Sequence, residues 1–163
     1  MVWVWRACLG VLIAAYAGWL LWPLVEPLTS RGDVSVAVSA LTAETTQVGA
    51  VLPSLWLGSA GLYLVAAVMT ATRVGAAPGA YFLAFGGEVI QRVLLQTAPE
   101  AMLSDTPARV AAALEPLNLA VETGPASLAA LFAVGLMVVM TGAWRGLKGH
   151  ALTRHWTQPP VYA

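Results

Sequence analysis

Long apolar blocks separated by short polar stretches make up most of this chain. Positions 7–25, 45–72 and 123–144 contain no charged residue, and a fourth block, 76–98, is broken only by Glu88 and Arg92. Crossing a hydrocarbon core of about 30 Å takes about 20 helical residues. The pattern therefore predicts four membrane-spanning helices over about 4–24, 48–70, 77–98 and 125–144. The expected architecture is all-α: an integral membrane four-helix bundle of one domain, 1–163, with polar loops at 26–47 and 99–124 and a tail at 145–163.

Local signals refine each segment. Trp3 and Trp5 stand at one end of the first block and Trp19 and Trp22 at the other, and indole rings favour the headgroup level. Pro23 and Pro27 should then end that helix, because proline cannot donate a backbone hydrogen bond. In the first loop Val34, Val38 and Leu41 recur at helical spacing, whereas Val34, Val36 and Val38 alternate as in a strand. A lone strand has no neighbour to pair with here, so a short surface helix is expected. Ser54, Gly58 and Gly61 in the second block, and Gly86 and Gly87 in the third, leave little side chain between helices. Such small residues let backbones approach closely, within one chain or across a dimer. Arg73, Gly75, Pro78 and Gly79 mark a tight reversal. The second loop holds an amphipathic helix: Asp105 or Thr106 as cap, Pro107 in the first turn, and an apolar stripe of Val110, Leu114, Leu117 and Val121 that Pro116 would kink. It is expected on the outer membrane surface or over the mouth of the bundle.

Composition agrees with this picture. Only 10% of residues are charged, against about 25% in soluble domains, so a water-exposed surface cannot be covered in the usual way. With eight basic and eight acidic residues there is no cationic footprint for nucleic acid. Arg6, Arg73, Arg145, Lys148 and Arg154 flank the spans on one side, while the two long loops carry only Arg31 and Arg109 as basic residues. The positive-inside bias then places both termini in the cytoplasm and both loops outside. The basic tail should adhere weakly to an anionic leaflet. Cys8, the single cysteine, excludes an intramolecular disulfide. No apolar run precedes it, so lipidation is not expected. The first apolar block lacks a nearby small-residue cleavage site and reads as an uncleaved helix.

Candidate chemistry centres on the third helix. Glu88, Gln91, Arg92 and Gln96 share one face at a period of 3.6 residues, and Glu88 precedes Arg92 by four, the better order for a helical ion pair. Charges at mid-bilayer cost about 2.5–3.5 kcal/mol each on insertion scales, so the strip must be paired, packed or used. Three readings follow: a polar strip that locks the helix inward, a proton or substrate site, or contact with a partner subunit. Metal and haem chemistry are not expected, because the only histidines, His150 and His155, lie in the tail and a membrane haem needs axial ligands within the spans. No phosphate loop or nucleophile elbow occurs, and Arg31-Gly32-Asp33 is a chance tripeptide. No catalytic, cofactor-binding or metal-binding residue is assigned. The layout is similar to that of small bacterial inner-membrane proteins. The expected role is a non-catalytic accessory or scaffolding subunit in contact with lipid and with other subunits or copies of itself. The alternative is a small oligomeric transporter or channel that uses Glu88 and Arg92, and a lipid- or quinone-associated enzyme component ranks last.

Overall fold

The computed structural model describes residues 2–97, 104–115 and 123–153. Among these, six helices and no strand occur: α1 (Val2–Arg31), α2 (Val34–Val48), α3 (Val51–Thr72), α4 (Ala77–Leu95), α5 (Thr106–Leu114) and α6 (Thr123–Thr153). Three stretches are long and apolar enough to cross a membrane: Trp3–Ser30, Val51–Thr72 and Gly124–Gly142. Their outward side chains, including Val11, Val68 and Met140, are more than half exposed. So apolar an exterior suits lipid rather than water. The chain is a membrane protein.

The core is built from small residues and rings. Ile13, Ala17 and Leu20 of α1, Ala60, Tyr63, Ala66 and Ala67 of α3, Ala77, Tyr81 and Ala84 of α4, and Val138 of α6 are buried together. Contacts run in opposite senses along neighbouring helices. Gly10 approaches Ala67 and Ala71 while Tyr16 meets Tyr63, so α1 and α3 are antiparallel. Pro78 approaches Gly142 while Arg92 reaches Gly124, so α4 and α6 are antiparallel too. The alanines of α3 bring its backbone close to its neighbours, as small residues do between membrane helices.

Glycines matter where the helices touch. A Cβ on Gly135 would lie 2.8 Å from Tyr81 and 2.9 Å from Phe82, so α6 can approach α4 only with glycine there. Gly135→Val should cost about 1–3 kcal/mol by overpacking, read as a lowered midpoint of thermal unfolding in detergent. Gly58→Ala is the control, since a Cβ there meets nothing within 4 Å. An equal loss in both would overturn this account of α4–α6 packing. The expected Ser54, Gly58, Gly61, Gly86 and Gly87 set divides on the same measure. A Cβ on Gly87 would lie 3.6 Å from that of Ser59, whereas one on Gly58, Gly61 or Gly86 would meet nothing within 4 Å, and Ser54 is exposed. The face of α3 that packs within the chain is the one carrying Ser59, Tyr63 and Thr70.

Several expected boundaries move. Pro23 and Pro27 lie inside α1 instead of ending it. A proline's φ suits a helix; what it removes is the N–H bonded to the carbonyl four residues back, which for Pro23 is Trp19. That oxygen accepts from Nη2 of Arg109 at 2.7 Å, and Leu20 O accepts from Nη1 at 3.1 Å. Help from another element lets the helix continue. The first loop is helical as expected, but α2 buries Ala37 and Glu44 and so does not simply float on the surface. Asp33 caps it, accepting from Ser35 N at 2.8 Å, and hydrogen bonds from the Ser35 side chain and backbone hold the Asp33 carboxyl below its usual range. The last helix, expected to stop near 144, runs on to Thr153. In the second loop Asp105 caps α5 by accepting from Ala108 N at 3.0 Å, with Pro107 in the first turn. Pro116, Leu117, Val121, Glu100, Glu122 and positions 154–163, including His155, lie outside the described residues.

Candidate functional site

The polar strip of α4 turns inward. Glu88 is fully buried, Gln91 is 1% exposed and Arg92 7% exposed, whereas Leu83, Ile90 and Val93 on the opposite side are more than half exposed. Gln96, the fourth expected member, caps the end of α4 and is exposed. The strip is therefore three residues deep, and Gln96 stands apart from it.

Every oxygen of the Glu88 carboxylate is committed. Oε1 accepts from Nη2 of Arg92 at 2.6 Å and from the Tyr16 hydroxyl at 2.7 Å. Oε2 accepts from the Tyr63 hydroxyl at 3.0 Å. Arg92 then reaches across to α6, donating through Nη1 to Ser127 Oγ at 2.7 Å and to Gly124 O at 3.0 Å. One ion pair thus ties α1, α3, α4 and α6 at a single level. Hydrogen bonds to ionised groups are shorter and about twice as strong as neutral ones, and in a dry interior the pair needs such extra bonds to offset its desolvation. Gly87, beside Glu88, faces Ser59 of α3, where an added Cβ would make an ordinary contact at 3.6 Å.

Sequence reasoning found Glu88 and Arg92 but missed their partners Tyr16, Tyr63 and Ser127. A signal for two of them was present. Tyrosine in membrane proteins concentrates at the interfaces, and a tyrosine at mid-span buries a hydroxyl that must find a partner. Tyr16 and Tyr63 both stand in charge-free blocks well inside their ends.

A second buried polar cluster joins α2, α4 and the segment entering α5. Glu44 Oε1 of α2 accepts from the Ser104 hydroxyl at 2.6 Å and from Ser104 N at 3.0 Å, while Gln91 Nε2 donates to Ser104 O. Ser104 and Thr106 are fully buried. The segment entering α5 is thereby fastened to both α2 and α4. Glu44 itself is buried, and no local pattern in the sequence signals it.

A cleft of about 330 Å³ opens beside the Glu88 cluster, walled by Ile13, Tyr16, Tyr63, Tyr81 and Leu131 and roofed by Val110 of α5. The amphipathic helix thus lies over the space between α1 and α6. Hydroxyl protons on the wall are already given away: Tyr16 and Tyr63 to Glu88, Tyr81 to Leu131 O at 2.7 Å, and Ser127 to Gly124 O at 2.9 Å. Apolar walls with committed hydroxyls suit a hydrocarbon chain better than a carbonyl-bearing ring. Among the described residues no group of three or more His, Cys, Asp or Glu is placed to hold a metal ion. No protein-family model matches the chain, and no curated protein or solved structure matches it either.

Proposed function

We propose that the protein is a non-catalytic accessory or scaffolding subunit of a membrane complex, a four-span bundle with both termini in the cytoplasm of a bacterial inner membrane. The observation that carries the reading is the saturation of Glu88, which is fully buried with three donors on its two oxygens. A carboxylate used for proton or solute movement has to exchange partners with water or cargo. One held by two tyrosines and an arginine serves as a lock between helices, which weighs against the transporter alternative.

Supporting observations concern the fourth span and the orientation. Short of uniform apolarity, α4 still shows lipid Leu83, Ile90 and Val93 and keeps its ionised pair inside, which is how charged residues are accommodated in membrane helices. Arg6 and Arg73 line one cavity at the same end of the helices, in keeping with a shared cytoplasmic side. Gly58, with open space around it, and the exposed Ser54 offer a partner helix a close approach.

Purification from native membranes in mild detergent tests the role. A subunit or scaffold should emerge with stoichiometric membrane partners or as a defined oligomer. Recovery as a lone monomer, together with proton or solute flux in proteoliposomes that Glu88→Gln abolishes, would replace this reading with the transporter.

A further inference from the structure

The cluster around Ser104 is incomplete in a way that the Glu88 cluster is not. Glu44 of α2 is 4% exposed and Ser104 is fully buried. Ser104 N and the Ser104 hydroxyl both donate to Oε1 of Glu44. Oε2 of the same carboxylate is buried and, among the described residues, has no hydrogen-bond partner. Gln91 meets the same serine, donating through Nε2 to Ser104 O. That bond fixes which end of the amide is nitrogen, and the remaining Oε1 is also buried without a partner. Two bare acceptor oxygens therefore sit on head groups that touch one residue.

Charge makes the deficit larger than a count of hydrogen bonds. The two donors on Oε1 stabilise negative charge on Glu44. Among the described residues, however, the ion pair joins Arg92 to Glu88 and leaves Glu44 without a counter-ion. Arg92, next to Gln91 in the chain, is already engaged by Glu88, Ser127 and Gly124 O. A buried charge without a partner is strongly destabilising. A water molecule would donate to both bare oxygens and leave that charge standing. A cation answers both needs. The donor set is all oxygen: Glu44 Oε2, Gln91 Oε1 and the lone pairs that Ser104 Oγ keeps while donating. Hard metal cations take such ligands. One carboxylate neutralises one positive charge, so a divalent ion would carry net charge into the interior.

We infer that Glu44, Gln91 and Ser104 bind a monovalent metal cation, sodium, which fastens the segment entering α5 to α2 and α4. The inference does not depend on a subunit role, which co-purification tests separately.

The experiment follows the thermal midpoint of the full chain in neutral detergent, in sodium chloride and in choline chloride at equal ionic strength. The wild-type midpoint should rise with sodium concentration, as binding to the folded state requires, and choline is too bulky to replace it. Glu44→Gln should abolish the response. In choline this variant should match or exceed wild type, because it removes a charge that has no counter-ion there; in sodium it should fall below. Gln91→Met keeps the volume and loses the oxygen, so half of the effect should need about tenfold more sodium. Glu26→Gln removes an exposed carboxylate and should respond as wild type does. Equal wild-type midpoints in the two salts overturn the inference and leave a proton or a water at Glu44. So does a loss in Glu44→Gln of the same size in both salts, the mark of a carboxylate that only packs. Should Glu44→Gln fail to fold, Gln91→Met decides: an unshifted sodium response there overturns the site.

Discussion

Arg92→Leu should lower stability by about 3–5 kcal/mol, more than removal of both charges in Glu88→Leu/Arg92→Leu. The reason lies in what each change leaves behind. Without Arg92 the fully buried carboxylate keeps the Tyr16 and Tyr63 hydroxyls but loses the cation at 2.6 Å. An ionised group left there without its counter-charge works against the packing of the helices around it. With both charges gone, the two tyrosines lose an acceptor, yet no ion remains stranded. Glu88→Gln should fall between, because the amide oxygen can keep the Tyr16 hydroxyl as donor, the amide nitrogen can donate to the Tyr63 hydroxyl instead of accepting from it, and Arg92 retains Ser127 and Gly124 O. Tyr16→Phe and Tyr63→Phe should each cost about 1.5–3 kcal/mol, the range for bonds to charged groups. Their losses should not add, since both act on one carboxylate. Equilibrium unfolding in detergent reads all of these. Equal damage from Arg92→Leu and the double variant would mean that the pair is not the element holding the helices at this level.

How far this site is legible in the sequence depends on the range of each interaction. Glu88 and Arg92 sit four apart on one helix, so a periodicity argument finds both the pair and the inward direction of α4. The tyrosines come from 72 and 25 positions away, and joining them to Glu88 requires knowing how α1, α3 and α4 are aligned. Local rules identify that a mid-span tyrosine needs a partner without saying which one. Glu44 fails for the same reason. Nothing beside it in the chain marks it as buried, and only the fold brings Ser104 to it, 60 positions on. Asp105 and Pro107, by contrast, act within one turn of α5, and there the sequence reading and the structure coincide. The small-residue pattern was legible as a set but not as a direction, because spacing of four identifies a face without identifying its neighbour.

The same contrast governs Pro23, and it gives the second large expected effect. Locally, two prolines four apart should end a helix. In the fold, Arg109 donates to the carbonyls of Trp19 and Leu20 and lies 4.6 Å from the Trp19 ring centre. It thereby replaces the missing backbone donor and adds a cation–π contact worth about 0.5–2 kcal/mol. Freed carbonyls at membrane depth are tolerated only when a neighbouring group satisfies them. Arg109→Ala should therefore cost about 2–4 kcal/mol from the lost charged hydrogen bonds and ring contact together. In a Pro23→Ala background the new N–H can bond Trp19 O itself, so the same Arg109→Ala change should cost about 1 kcal/mol less. The double-mutant cycle separates this from mere loss of packing under α5. An identical cost of Arg109→Ala in both backgrounds would show that the guanidinium holds α5 against Trp19 without standing in for the proline's absent donor, and the persistence of α1 beyond Pro23 would then need another cause.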